Sequence, residues 1–230
     1  MLVATLLLVA CRATSALPGV KVPADELERT AAAHDAAINQ HVANPATSCA
    51  ADFRNSMPAC KQQAADWCWA TGLSEFSFYY NVSTGGATNC TAVECAVVSM
   101  DFKGKDCCPD GKIRCGGDGQ TVEKIVADAT KFMGLPFKSR GGPPTENDLV
   151  ALLEAGTPVM PIITWYKEGR PAGGHALMVS GCEASSGPFG GVQYFLHDPE
   201  TSTYQKVSYS RLMYYSVLSD GKWTDTVHAS

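Results

Sequence analysis

The cysteines constrain this chain more than any other feature. Ten occur in 230 residues: Cys11, Cys49, Cys60, Cys68, Cys90, Cys95, Cys107, Cys108, Cys115 and Cys182. Five of them crowd between Cys90 and Cys115, which indicates either a loop closed by disulfides or a zinc site. The segment has no paired C-x-x-C spacing and no histidine, so disulfides are favoured and we expect no metal ion and no cofactor. Cys107 and Cys108 are neighbours, and each is expected to bridge to a different segment.

The N-terminus resembles an export signal. The stretch "MLVATLLLVACRATSA" has an apolar run too short to span a bilayer and ends in small residues at Ala16, which is typical of a cleaved signal peptide over residues 1–16. A second interpretation is lipid attachment at Cys11, within "LVAC". No later segment is long and apolar enough to span a membrane. Secretion would remove Cys11 and leave nine cysteines, so four bridges would leave one thiol, for which Cys68 is the candidate.

The overall composition limits the partners. The net charge is -5 and only 18% of residues are charged, which argues against nucleic acid or an anionic membrane surface, because both favour a basic stripe. With 45% hydrophobic residues, the chain can bury one core or two small lobes. We expect a monomer that binds a peptide or protein substrate.

The order of elements predicts an α+β fold. Helices are predicted at 66–80, 91–101, 120–134 and 145–155, and "GGPP" at 141–144 is the candidate linker between two lobes. Short β-rich runs follow, at 157–166, 174–182 and 191–199. Helices first and strands second is an α+β pattern. We assign residues 51–230 to one domain and leave residues 17–50 open, as an N-terminal helix or a short propeptide.

Three residues in this order suit thiol chemistry. Cys68 is predicted at the start of a buried helix, where the helix dipole favours a thiolate. His175 begins the apolar run "HALMVSG" after two glycines, and Asp198 ends the next strand. Antiparallel neighbours would bring His175 and Asp198 together, so that the carboxylate could fix the imidazole tautomer. His197 is an alternative base, but adjacent strand residues point to opposite faces.

These segments resemble those of a known family. Gln62 six residues before Cys68, the pair Cys68-Trp69, then "GGHALMVSG" and "HDP" are similar to the active-site segments of papain-like cysteine peptidases. The similarity is to the Cys-His-Asp branch, with bacteriocin-leader peptidases and bacterial effector cysteine proteases, and covers residues 58–215. It implies a two-lobe fold, with a helical N-terminal part packed on an antiparallel β-sheet. It also implies roles: Gln62 donates to the oxyanion, Cys68 attacks, His175 transfers the proton and Asp198 orients it.

Several alternatives stay open at this point. The same triad could serve an amidase or acyl transferase, and a catalytically dead, disulfide-rich binding module is a third possibility. Trp67 and Trp69 are expected in the core rather than as substrate platforms, and His34 and His41 are expected at the surface. Two acceptor sequons, at Asn81 and Asn89, predict glycosylation of a eukaryotic secreted chain, with Asn81 favoured because Cys90 is a candidate for bridging.

Overall fold

A computed structural model of the chain describes residues 46–82, 88–116, 119–167, 170–185, 191–213 and 221–230. The predicted signal peptide, Cys11, His34, His41 and nearly all of the segment 17–50 lie outside these residues. Within the described parts, no helix combines the length and apolar character that crossing a membrane requires.

The four predicted helices are present, each within two residues of its expected bounds. They are α1 (Cys68–Tyr79), α2 (Cys90–Asp101), α3 (Val122–Met133) and α4 (Glu146–Glu154), and a short α5 (Tyr209–Met213) follows near the C-terminus. Side-chain caps explain three of the starts. Asn89, Thr121 and Thr145 each accept a hydrogen bond from the backbone N–H three residues later, as N-cap residues do.

The strands form two antiparallel sheets. They are β1 (Ala50–Asp52), β2 (Phe137–Gly141), β3 (Met160–Lys167), β4 (Arg170–Ala176), β5 (Met178–Ala184), β6 (Val192–His197), β7 (Tyr204–Ser208) and β8 (Lys222–Ala229). The first sheet has the order β1-β5-β6-β7 and the second has the order β2-β8-β3-β4. The α+β prediction is therefore confirmed, with the antiparallel strands divided between two sheets.

The second sheet lies between two hydrophobic cores. Neighbouring residues of β3 face opposite ways, so that Ile162 packs with α1, α2 and α3 while Ile163 packs with α4 and the first sheet. The same alternation places Met178 in the helical core and Val179 in the other. Two cores separated by a sheet correspond to the two lobes that the sequence predicts.

The segment "GGPP" connects these two parts. Gly142, with φ 77°, follows β2 and donates to Thr224 of β8, while the Pro144 carbonyl accepts from the Tyr209 hydroxyl beside the first sheet. The chain then enters α4, whose Leu149 belongs to the core of that lobe. The segment therefore links the lobes, as its composition predicts.

The predicted strand at 174–182 is in fact two strands. His175 lies near the end of β4 in the second sheet, and the chain passes through Leu177 into β5 of the first sheet. The expectation that His175 begins a strand is corrected accordingly. A continuous apolar run hides this crossing, because it is buried on both faces and shows no change of period where the sheets change.

Four disulfides account for eight cysteines. The pairs are Cys49–Cys182, Cys60–Cys90, Cys95–Cys108 and Cys107–Cys115. Among the described residues, Cys68 is the one cysteine outside any disulfide. The predicted four-bridge framework is confirmed, and Cys107 and Cys108 bridge to different segments as expected.

Candidate active site

Cys68 is the first residue of α1 and lies against the crossing between the two sheets. Its side chain is buried, and its Sγ accepts from the backbone N–H of Ala176 at 3.4 Å. Gly72 allows the helix to pack closely on Met160 and Met178, because a Cβ there would lie 2.5 Å from the Met160 Cε and the methionine side chains would have to shift. The sequence thus brings the sulfur to the residue that directly follows His175.

His175 and Asp198 form a buried pair. The His175 Nε2 lies 2.8 Å from the Asp198 Oδ1, with the side chains 3% and 9% exposed. The register of β5 and β6 contributes to the meeting. Met178, three residues after His175, pairs with His197, so the chain that enters β5 runs beside Asp198, the residue that follows β6. The same Asp198 oxygen accepts from the Glu200 backbone N–H at 2.9 Å, which fixes the carboxylate towards the imidazole.

Trp165 lies over the imidazole. Its ring is stacked on His175, with centroids 5.9 Å apart and planes at 20°. It belongs to β3, in which Ile163 pairs with His175 and Trp165 pairs with Gly173. Sequence reasoning missed this residue, because only the pairing of β3 with β4 places it beside the site.

Gln62 lies beside the loop that carries Asp198. Its backbone N–H donates to the Pro199 carbonyl at 2.8 Å, and its side-chain Nε2 donates to the Ala65 carbonyl at 3.1 Å. Gln63 is exposed, and its side chain bonds to the Lys61 carbonyl. Of the two glutamines, Gln62 is the one whose backbone contacts the Asp198 loop.

His197 points away from Asp198, as strand alternation predicts. Its Nδ1 forms an ion pair with the Glu75 Oε1 at 2.6 Å, with both side chains fully buried, and its Nε2 contacts the Thr201 carbonyl at 3.1 Å. Burial alone would lower the pKa of His197, but the Glu75 carboxylate outweighs it and the pKa is raised. Both ring nitrogens of His197 are therefore engaged inside the protein, by Glu75 and Thr201, rather than placed to act as a base at the site.

Among the buried residues near the site, the sequence predicts the position of two tryptophans but misses one glutamate. Trp67 and Trp69 lie in the core, as expected. Glu75 was missed, although a signal existed: it is the one charged residue in the helix "CWATGLSEFSFY", and a buried carboxylate needs a partner. The described parts of the chain contain no cluster of three or more histidine, cysteine or acidic side chains that could hold a metal ion.

The chain matches a known protein family in sequence. The model of the family described as "Papain-like cysteine protease AvrRpt2" matches residues 51–214. Among solved structures, the chain is similar to one assigned as a C39-like peptidase from Bacillus anthracis, with 14% identity, a TM-score of 0.48, and coverage of 78% of this chain and 97% of that one. None of the curated proteins matches the chain in sequence.

Proposed function

The chain belongs to the papain-like cysteine protease family that includes AvrRpt2 and is a cysteine-type peptidase, and from this premise we propose that Cys68, His175 and Asp198 are its catalytic triad, with Gln62 as oxyanion donor. The reaction is hydrolysis of peptide bonds in a protein or peptide substrate. The observation that carries the proposal is the buried His175–Asp198 pair beside the Cys68 sulfur, which accepts from the residue next to His175.

The proposed reaction has two halves. The Cys68 thiolate attacks the scissile carbonyl carbon, and the carbonyl oxygen takes the negative charge, stabilised by the Gln62 amide. The His175 imidazolium gives its proton to the departing amine, which leaves Cys68 acylated. His175 then takes a proton from water, whose oxygen attacks the thioester, and the carboxylic acid product leaves as the thiolate is restored.

The local structure supports each role. Cys68 is the first residue of α1, where the helix dipole and a neighbouring imidazolium both favour the thiolate. Asp198 contacts the Nε2 of His175, so the Nδ1 is the nitrogen left for proton transfer to and from the substrate. Trp165 covers the ring, and shielding from water strengthens the hydrogen bond to Asp198.

Alkylation of the natural chain and of two variants tests this proposal. Iodoacetamide at neutral pH is expected to label one cysteine per chain, Cys68, and hydrolysis should fall in proportion to the label. Cys68→Ala should be unlabelled and inactive but fold with the melting temperature of the natural chain, because the thiol is small. His175→Ala should be inactive and alkylate more slowly. Finding Cys68 in a disulfide in active protein contradicts the mechanism.

The framework of four disulfides favours an oxidising compartment. We propose that the protein is secreted, that residues 1–16 are removed, and that residues 51–230 are the peptidase domain. Sequencing the N-terminus of the secreted protein decides whether residues 17–50 are removed too. A first residue at 17 means that the segment stays, and a start near residue 50 identifies it as a propeptide.

Glycosylation is proposed at Asn81 if the chain passes through a eukaryotic secretory pathway. Asn81 is exposed just beyond α1, whereas Asn89 caps α2 and precedes Cys90, which is bridged to Cys60. Glycosidase treatment of the secreted protein should lower its mass. Asn81→Gln should remove that change and Asn89→Gln should leave it.

A further inference from the structure

The loop that carries Gln62 is held by acceptors from three separate elements. We call residues 60–63 the glutamine loop. The Cys60 N–H donates to Glu75 Oε1 of α1 at 3.0 Å, and the Gln63 N–H donates to Glu94 Oε1 of α2 at 3.0 Å. Between them, the Gln62 N–H donates to the Pro199 carbonyl. Buried carboxylates therefore hold the loop on both sides of Gln62.

One oxygen of Glu75 joins this loop to the Asp198 segment. Its Oε1 accepts from the Cys60 N–H and also pairs with the His197 Nδ1 at 2.6 Å. His197 directly precedes Asp198, and its other ring nitrogen contacts the Thr201 carbonyl at 3.1 Å. Thr201 in turn donates its backbone N–H to the Asp198 carbonyl at 2.8 Å. The imidazole thus fixes both ends of the turn that presents Asp198.

Glu75 also belongs to the helix that begins with Cys68. The two residues are seven apart in α1, which is close to two full turns and places them on the same side of the helix. A single buried carboxylate is therefore connected by backbone or side chain to Cys68, the glutamine loop and Asp198.

We propose that Glu75, acting through its ion pair with His197, is a positioning residue of the peptidase site that fixes Gln62 and Asp198 relative to Cys68. This inference rests on the proposed function, because it assigns Glu75 to the same site. Glu75 contacts no reacting atom, and its effect is on geometry. Displacement of a catalytic group by about 1 Å can lower a rate by about 10²-fold, so a distant fixing contact can govern turnover.

An ion pair in the core need not be there for stability. Replacing both charged partners by apolar residues of similar size is often neutral or stabilising, whereas removing one partner leaves a buried charge without compensation. Positioning and stability can therefore be separated by the double variant Glu75→Met/His197→Leu, which removes both charges and keeps the volume.

The experiment measures three quantities on that double variant: the melting temperature, kcat and KM on a peptide substrate, and the pH profile of Cys68 alkylation. We expect a melting temperature above that of Glu75→Met or His197→Leu alone, because the double variant leaves no buried charge uncompensated, and kcat lower by about 10- to 100-fold with KM changed much less. The alkylation profile should move to higher pH, because a displaced Asp198 stabilises the imidazolium less. An unchanged kcat and an unchanged profile overturn the proposal.

Two further variants complete the test. Glu75→Gln keeps an acceptor for the Cys60 N–H but loses the ion pair. Its kcat is calculated per molecule that iodoacetamide labels, so that only active molecules are counted. This kcat should be lower than that of the natural chain, and the comparison holds even if the double variant does not fold. A natural kcat per labelled site overturns the proposal there too. Glu146→Gln is the matched control: Glu146 is buried and accepts from the Ala46 N–H and the Tyr194 hydroxyl, so only stability should change.

The alkylation readout separates this inference from the proposed function. If Cys68→Ala retained hydrolysis, the proposed function would fail. The effect of Glu75 on Cys68 reactivity would still be measurable, because alkylation needs no peptide substrate.

Discussion

Gln62 and Gln63 are adjacent, but their surroundings differ in a way that bears on catalysis. The Gln62 backbone is bonded to the Asp198 loop, and the Gln63 side chain is exposed and bonded to Lys61. Gln62→Ala should therefore lower kcat by about 10²–10³-fold, the range for loss of one oxyanion donor. Alkylation of Cys68 should barely change, because iodoacetamide generates no oxyanion.

Gln63→Ala is the matched control for this prediction. It should leave kcat within about threefold of the natural value, because the hydrogen bond from the backbone N–H of residue 63 to Glu94 is retained. Steady-state kinetics on one peptide substrate compare the two variants. A larger loss in Gln63→Ala than in Gln62→Ala would assign the oxyanion role to Gln63.

At the residue scale, the sequence predicts those site residues that stand out by residue type and by position in the chain. Cys68 stands out because the chain without Cys11 has an odd number of cysteines and the others pair. His175 and Asp198 stand out because they follow Cys68 in the order of the family's active-site segments and lie at the ends of apolar runs. Trp165 carries no such mark, because its role depends on the pairing of β3 with β4. Glu75 was identifiable as a buried charge, but its partner His197 lies 122 positions away in sequence, and only the fold brings them together.

At the scale of elements, the two helices next to the site each bury a carboxylate. Burial raises the pKa of Glu94 on α2 to about 7, with the charge of Glu75 acting in the same direction. A raised carboxyl pKa means that the folded state holds the proton more tightly than the unfolded state. The stability that this proton contributes is complete below the ordinary value near 4.5 and is lost as the pH rises through about 7.

Glu94→Gln should remove this dependence. The amide keeps an oxygen for the Gln63 N–H and does not titrate. The free energy of unfolding of this variant should therefore fall less between pH 4.5 and 7 than that of the natural chain. The difference should reach about 3 kcal/mol, the equivalent of the pKa change. Urea unfolding at several pH values measures it. Parallel curves for the two proteins would contradict the raised pKa.

Two of the elements that the sequence did not predict, β1 and β2, share a physical cause. Three of the four main helices carry side-chain caps, and all four have continuous helical patterns, so they are readable locally. By contrast, β1 has three residues and β2 is exposed at four of its five positions, so neither has a hydrophobic pattern of its own. Each exists because a longer strand, β5 or β8, offers it hydrogen-bonding groups.

At the scale of the whole molecule, the four disulfides stabilise two different parts of the chain. Three bridges lie in the segment from Cys60 to Cys115, around α1 and α2, and the fourth joins Cys49 to Cys182 across β1 and β5. Thiol titration of the denatured, unreduced chain that starts at residue 17 should find one thiol, that of Cys68. Three or more thiols would contradict the four-bridge framework.

The long bridge should contribute more to stability than the short one. Cys49–Cys182 closes a loop of 133 residues and Cys107–Cys115 a loop of 8, for which loop entropy gives about 5 and about 2.5 kcal/mol. The other bridges shorten the long loop, but the dependence is logarithmic, so the order is retained. Cys49→Ser/Cys182→Ser should therefore lower the midpoint of urea unfolding more than Cys107→Ser/Cys115→Ser. The opposite order would mean that the short bridge holds α2 and its loop by native contacts rather than by restricting the unfolded chain.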